Sequence, residues 1–353
     1  MTSRKRILIT ILGVAVAFLL VWQFQHSPEW RHFSWQAVWT ATAEARGGFI
    51  AASVALIYMS YVLRAWRWGA LMSPKGRFWP VLKGTVVGFT GTALLGRPGE
   101  LVRPYYIARK HRGDLSPQLA VWLLERLFDM AGVVLLVGLD LALSPGVKEI
   151  TREGGYQAAF QRAGLILSAG IVGLIVALVI FHRRSHKILA KYELLEAKHR
   201  TRLRHRVGYF LHTLAQGTRG LTRKRTLVSA VVYTVLLWVV ISASIYMAVR
   251  AYPSMLPEFS LSEGILLMGL TAIGSVAQLP AVGGGFQVLT IFGLTKLFGA
   301  DSAAATSAAL IIWLVCFYAI APFGLGITAH EGISWRGIEH ASIEAEAVGE
   351  EQG

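Results

Sequence analysis

The chain has 353 residues, of which 54% are hydrophobic and only 16% charged, with a formal net charge of +15 and a mean hydropathy of +0.51. Soluble proteins carry about 25% charged residues, so this composition excludes an ordinary soluble domain. The basic residues lie between apolar segments rather than on a polar domain, which fits the positive-inside rule and argues against nucleic-acid binding.

Six apolar runs are long enough, or nearly so, to cross a bilayer: Ile7 to Gln23, Phe49 to Leu63, Leu119 to Leu143, Leu165 to Phe181, Leu227 to Val249 and Ala303 to Ala329. The first is flanked by Arg4-Lys5-Arg6, and no small-x-small cleavage site follows it in Trp22-Gln-Phe-Gln-His26, so it reads as a retained anchor rather than a signal peptide. Trp22, Trp30, Trp35 and Trp39 then place the Gln25 to Gly47 segment along a membrane interface. Two further apolar stretches, Val81 to Leu95 and Ile265 to Leu279, each run into a Gly-rich break, Gly96-Arg-Pro-Gly99 and Pro280-Ala-Val-Gly-Gly-Gly285. Both are expected to be broken or re-entrant segments. Cys316, the single cysteine, lies in the last apolar run and permits no intrachain disulfide.

Lys and Arg in the connections orient the chain. Thirteen fall between Arg183 and Arg225, five between Arg64 and Lys83, and five between Arg97 and Arg112. Gln25 to Gly47 and Ser144 to Phe160 hold two each, and Ala251 to Ser262 none. Both termini and the basic loops are therefore expected on the cytoplasmic side of a plasma (inner) membrane of bacterial type. The fold class is all-α: a polytopic membrane helix bundle with six full spans and two re-entrant segments, the first entering from the cytoplasm and the second from outside. Residues 1–335 form the transmembrane domain, with a basic cytoplasmic loop at 183–226, and residues 336–353 an acidic cytoplasmic tail. An offset of 186 sets Gly99 on Gly285, Gly113 on Gly299 and Gly88 on Gly274, the pattern of an inverted repeat.

Charges mark the candidate site. Arg97, Glu100 and Arg103 sit in or beside the first break, where a charged side chain at bilayer depth costs about 2.5 to 3.5 kcal/mol. Glu125, Arg126 and Asp129 share one face of the span Leu119 to Leu143, at i, i+3 and i+4 spacing. As an isolated feature the second set reads equally as an ion pair that locks two helices together; beside the first, it points to a polar site. Arg64 and Arg67 are expected to snorkel at a cytoplasmic helix end, anchored by Trp66 and Trp68. In the basic loop, Leu203, Val207, Phe210, Leu211 and Leu214 recur at helical spacing, as in an interfacial helix resting on anionic headgroups. His182, His186, His199, His205 and His212 pair with no carboxylate or cysteine at ligand spacing, so neither a metal nor another cofactor is expected.

The Arg64-Ala-Trp-Arg-Trp68 run, Gly99-Glu100-x-x-Arg103, Glu125-Arg126-x-x-Asp129 and Leu279-Pro-x-x-Gly-Gly-Gly285, in this order, resemble the transmembrane domain of lysylphosphatidylglycerol synthase/flippase proteins, over about Ile7 to Ala329. The resemblance implies a flippase-like domain that moves charged or glycosylated lipids, or polyprenyl-phosphate carriers, between leaflets. Two residues depart from the pattern: Leu95 where a Pro is expected, and Gln287 where an acidic residue is common, which weakens any proton-coupling role for the second half. The soluble aminoacyl-transferase domain of full-length synthases has no counterpart in the short tail, so lysyl transfer is not expected and an enzymatic role is the lesser expectation.

These parts suggest a polar groove in which Arg97 and Arg103 hold a lipid phosphate. Glu100, Glu125 and Asp129 would offset those cations or engage a cationic headgroup. The second half would complete the cavity with Gly283, Gly284, Gly285, Gln287, Gln278, Thr271 and Ser275. The expected partners are membrane lipids, and a homo-oligomer is compatible with the sequence. Two other readings stand: an integral-membrane enzyme acting on lipid or polyprenyl phosphates, with Glu125 and Asp129 as acid/base or metal carboxylates, and a non-transporting scaffold. No nucleotide-binding loop is present, so drive by ATP is not expected from this chain.

Overall fold

The computed structural model describes residues 34–72, 77–111, 115–153, 155–158, isolated positions from 162 to 173, 224–279 and 283–331. The expected anchor Ile7 to Gln23, most of the span Leu165 to Phe181, the basic loop up to residue 223 with its interfacial helix and histidines, and the acidic tail lie outside these residues. The architecture is helical: α1 (Trp35–Glu44), α2 (Gly47–Leu71), α3 (Phe78–Leu95), α4 (Val102–Lys110), α5 (Leu115–Leu143), α6 (Pro145–Glu153), α7 (Lys224–Arg250), α8 (Leu261–Gly274), α9 (Gly285–Phe292), α10 (Ser302–Trp313) and α11 (Ala321–His330). Lys224 to Thr226, read as loop from sequence, already belong to α7.

Four helical stretches are long and apolar enough to cross a membrane: α2, α3, α7 from Arg225, and the continuous Ser302–His330. The pair α5–α6, bent by 90° after Leu143, makes a fifth if counted as one span. Of the six full spans expected from sequence, α2, α7 and Ser302–His330 have that length among the described residues and α5 reaches it as part of a bent pair, whereas α3, expected as a re-entrant segment, is also long enough to cross. At 1.5 Å per residue the 25 residues of α2 reach about 37 Å, enough to cross the hydrocarbon. α7 shows one face of Val228, Val231, Val232, Val235 and Val239 to the surroundings, as a helix in contact with lipid would.

α2 and α7 pack antiparallel along their length. Arg46 N–H donates to Ala251 C=O at one end, Ser53 and Ser244 exchange hydroxyl–carbonyl hydrogen bonds of 2.8 and 2.9 Å, and Ala65 and Trp68 share a core with Ala230 at the other end. Around this pair lie two helical hairpins. In the first, α3 ends at Gly96, whose φ of 71° suits glycine, and a 3-10 turn at Arg97–Leu101 leads into α4. The chain then doubles back, because Arg77 N–H at the start of α3 donates to His111 Nε2 just after α4, at 3.3 Å. Glycine permits the close pairing: a Cβ at Gly84 would lie 2.6 Å from Ile107 Cγ1, and one at Gly99 would strike the Gly91 carbonyl.

The second hairpin has the same plan. A capping box, Ser260 with Glu263, starts α8. The break holds an antiparallel bridge of Gln278–Leu279 with Gly283–Gly284, and α9 returns into a π turn at Gly293–Leu297. Gly274 and Gly285 meet backbone to backbone, and the hairpin's ends come together where the Phe259 ring packs edge-on to Phe298 at 5.3 Å. This end lies with Ala251 and Tyr252, whereas the first hairpin's base packs beside Trp68, Leu71 and Ala230, at the opposite ends of α2 and α7.

Both tips reach the interruption of the last long helix, the π turn Leu314–Tyr318. Tyr318 O–H donates to Ala93 C=O near the first tip, at 3.1 Å, and Phe317 stacks edge-on against Phe286 at the second, at 5.3 Å. A π turn frees carbonyls that need donors in an apolar medium. Tyr61 and Tyr58 of α2 supply them, to Cys316 C=O and Ala319 C=O at 3.2 and 2.8 Å.

Candidate functional site

α2, α4 and α5 bring four guanidinium groups and two buried carboxylates together. Arg64 and Arg67 are three residues apart on α2, and so face the same way. Arg67 is fully buried; its Nη2 lies 2.7 Å from Asp129 Oδ1 and 3.0 Å from Glu125 Oε1, while its Nη1 donates to Thr234 Oγ1 of α7 at 2.9 Å. Arg64 Nη1 reaches Asp129 Oδ2 at 3.3 Å, and its guanidinium lies 4.9 Å from the Phe89 ring centre.

From the other side comes Arg103, near the start of α4. Its Nη1 donates to Glu125 Oε2 at 2.6 Å, its Nη2 to Arg64 C=O at 3.2 Å, and its guanidinium stacks 4.1 Å from the centre of the Trp68 ring. That ring is fixed in turn, since Trp68 Nε1 donates to Gln118 Oε1 at 3.0 Å. Gly88 makes the approach of Arg103 feasible, because a side chain there would occupy the place of Arg103 Cβ.

Arg126 forms the open edge of the cluster. Its side chain is 34% exposed, against 0% for Arg67 and 4% for Arg103, and it lies 3.4 Å from Asp129, 3.7 Å from Glu125 and 3.9 Å from Glu100. With Glu100 counted, the cluster still has one more cation than anions. Arg67 Nε, Arg103 Nε and Arg126 Nε are buried with no hydrogen-bond acceptor. Buried donors left this way each cost about 1–3 kcal/mol. Glu125 Oε1 likewise has no hydrogen-bond partner beyond its ion pair with Arg67, so the arrangement is charge-dense, nearly closed and incompletely satisfied on both signs of charge.

The structure brings Glu100, Arg103, Glu125, Arg126 and Asp129 together as the sequence reading expects. Arg97 opens the 3-10 turn of the first break, and its side chain lies outside the described residues. The snorkelling assigned to Arg64 and Arg67 is wrong: both are buried, because Asp129 and Glu125 offer them charge partners inside the bundle. Their spacing within an otherwise apolar helix, matched to two acids four apart on another, was the available signal. Thr234 carried none.

The second break follows different chemistry. Gln287 Oε1 accepts from Gly284 N–H at 2.7 Å, closing the break onto itself, and the Thr271 and Ser275 hydroxyls donate to Met268 C=O and Ala272 C=O in their own segment. Gly283, Gly284 and Gly285 form the bridge and the start of α9. The link between the breaks runs through Phe317 and Tyr318.

At the base of the first hairpin, Glu331 accepts from Tyr106 O–H at 2.7 Å, Lys110 Nζ at 2.9 Å and Lys83 Nζ at 3.1 Å. Burial raises the pKa of this carboxyl, but the hydrogen bonds from Lys110, Tyr106 and Lys83 outweigh it and hold it down at about 2.

Among the described residues, no group of three or more His, Cys, Asp or Glu is placed to hold a metal ion. The family model described as the lysylphosphatidylglycerol synthase TM region matches residues 10–324. No curated protein and no solved structure matches the chain. With most of its length matched, the chain belongs to the lysylphosphatidylglycerol synthase transmembrane-region family, a family of membrane domains.

Proposed function

From this membership and the buried charge cluster, we propose that the protein moves a polar or charged lipid, phospholipid or polyprenyl-phosphate-linked, between leaflets of a bacterial-type plasma membrane. The observation that carries the reading is the cluster itself, set beside a helical break. Burying ions is expensive even when they are paired, and among the described residues the second hairpin shows apolar and glycine contacts with no buried ion-pair cluster of this kind. The charges are thus not what a hairpin of this design needs in order to fold.

In this proposal the headgroup phosphate meets Arg126 first, since it is the exposed member, and then exchanges with Glu125 and Asp129 for Arg103 and Arg97. Glu100 balances Arg126 in the empty state. The Gly283–Gly285 and Gln287 break is the opposite wall, joined to the first across the π turn. The two hairpins are read as re-entrant elements entering from opposite faces, in an inverted repeat of span, hairpin and span. Supporting this, the closing spans, α5 and Ser302–His330, both run 29 residues, and Gly99 and Gly285 each begin a return arm against a glycine of the entering arm. Rocking of one half against the other would present the site to each leaflet in turn. On the far face, a cavity of about 580 Å³ lined by Ser34, Gln36, Thr40, Glu44, Tyr252 and Asp301 is the candidate opening on that side. The termini and the basic loop are read as cytoplasmic, the loop resting on anionic headgroups.

The enzyme reading is weaker, because Glu125 and Asp129 both bond arginines within 3.3 Å instead of facing a substrate space. Reconstitution into liposomes with labelled lipids of several headgroup classes tests the proposal. Movement of at least one class is expected, slowed in an Arg126→Ala protein. Movement of none by folded protein, or an unchanged rate in Arg126→Ala, overturns it.

A further inference from the structure

The base of the first hairpin holds a second polar constellation, separate from the central cluster. Three donors from both arms, Lys83 of α3 and Tyr106 and Lys110 of α4, converge on one carboxylate, Glu331, just past the last helix. The two lysines remain open to the surroundings, with Lys83 45% and Lys110 39% exposed, while Tyr106 is buried and the Glu331 side chain is only 10% exposed. The Lys110 ammonium also lies 5.7 Å from the Tyr106 ring centre, which fixes its approach. The helix ends that meet here also carry Arg77, Arg109 and His111 on the hairpin and His330 at the end of α11.

Two ammonium groups and a phenol O–H focused on one oxyanion are the donor set that recognises a phosphate. Here the chain supplies the anion itself. A carboxylate so placed does two things: it neutralises the lysines, and it ties both arms of the hairpin to the end of α11.

We propose that Lys83, Tyr106 and Lys110 form a phosphate-binding site at the mouth of the first hairpin, which Glu331 occupies as an internal substitute until a phosphate group displaces it. The phosphate is that of a neighbouring lipid headgroup or the free anion, which share the recognition chemistry. Displacement frees the end of α11 from the base of the hairpin, while Gly324 stays packed on Thr90 of α3, so occupancy at the rim loosens the tie on the arm that carries Arg103. The proposal does not depend on what the central cluster carries.

The test uses the full chain in phosphatidylcholine nanodiscs containing some phosphatidylglycerol, with native mass spectrometry counting the anionic lipid retained after release. Glu331→Gln removes the substitute anion and is expected to raise retention about tenfold, the scale of one charge-assisted hydrogen bond. In that background, adding Lys83→Gln and Lys110→Gln returns retention to the parental level. Adding Tyr106→Phe, which alters no charge, lowers it several-fold, a change that unspecific attraction to a more basic surface does not produce. Excess inorganic phosphate strips the lipid if the free anion is the ligand and leaves it if the headgroup is; both outcomes support the site. Parental retention by Glu331→Gln, or a gain that survives Tyr106→Phe undiminished, overturns it. If Glu331→Gln does not accumulate, Glu331→Asp, too short to reach both lysines, gives the same ordering.

Discussion

The first hairpin, α3 and α4, is tied into the molecule by charge as well as by apolar packing, and the second, α8 and α9, by apolar packing. Arg103 and Glu331 pin the first to α5 and to the end of α11. Leu267, Met268, Phe286 and Leu294 bury the second in a core with α7 and α10. Both rely on glycine at the crossing of their arms. Shared backbone contacts with different side chains mean that the hairpin shape is set by close approach of the arms, and among the described residues the buried charge cluster lies beside the first hairpin. In a low-dielectric setting such a cluster costs more than apolar packing would, and the proposed function rests on that asymmetry.

Arg67→Met tests the contrast most severely. It leaves Glu125 and Asp129 short of a cation in a buried site, and a loss of about 3–5 kcal/mol is expected in thermal or denaturant unfolding in detergent. A neutral outcome would mean that the cluster does not hold the first half together. Leu294→Ala, in the second hairpin's core, is expected to cost about 2–5 kcal/mol through the cavity it leaves, without any change in salt dependence.

Matched glycine changes ask whether the hairpins are equivalent. Gly99→Ala and Gly285→Ala both drive a Cβ into the backbone of the facing arm, and each is expected to destabilise by about 1–3 kcal/mol. If one is tolerated, the two crossings are not built alike.

Arg126→Ala separates function from folding, because the side chain is partly exposed at the edge of the cluster. Stability is expected to fall by less than about 1 kcal/mol, while lipid movement in liposomes slows by about tenfold. Gln287→Ala should slow movement less, since the amide closes its own break.

The smallest effect concerns acidity. The Glu331 carboxyl is held below its ordinary range, at about 2, so its contribution to stability is complete above the unfolded carboxyl range and is lost only as pH falls toward 2. Unfolding curves from pH 8 to 5 should show no step removed by Glu331→Gln. A step in that window that disappears in the variant would contradict the hydrogen bonding described for this residue.

Local pattern was enough to find the long helices and both breaks. Apolar length marks α2, α7 and Ser302–His330, and a glycine or proline that stops a helix does so through its own φ and its own missing atoms, as at Gly96. The i, i+4 acids on α5 likewise announced a charged face. Which partners those acids take was decided elsewhere, by Arg64 and Arg67 on α2, more than sixty residues away along the chain. The same holds for Glu331 with Lys83, and for the tyrosines of α2 that serve the π turn near the chain's end. The sequence by itself determined where helices start, stop and carry charge, because those depend on neighbours within a turn or two. Only the tertiary structure decided which charges meet and that each hairpin doubles back, because ion pairing and close packing depend on distance in space, to which separation along the chain is no guide.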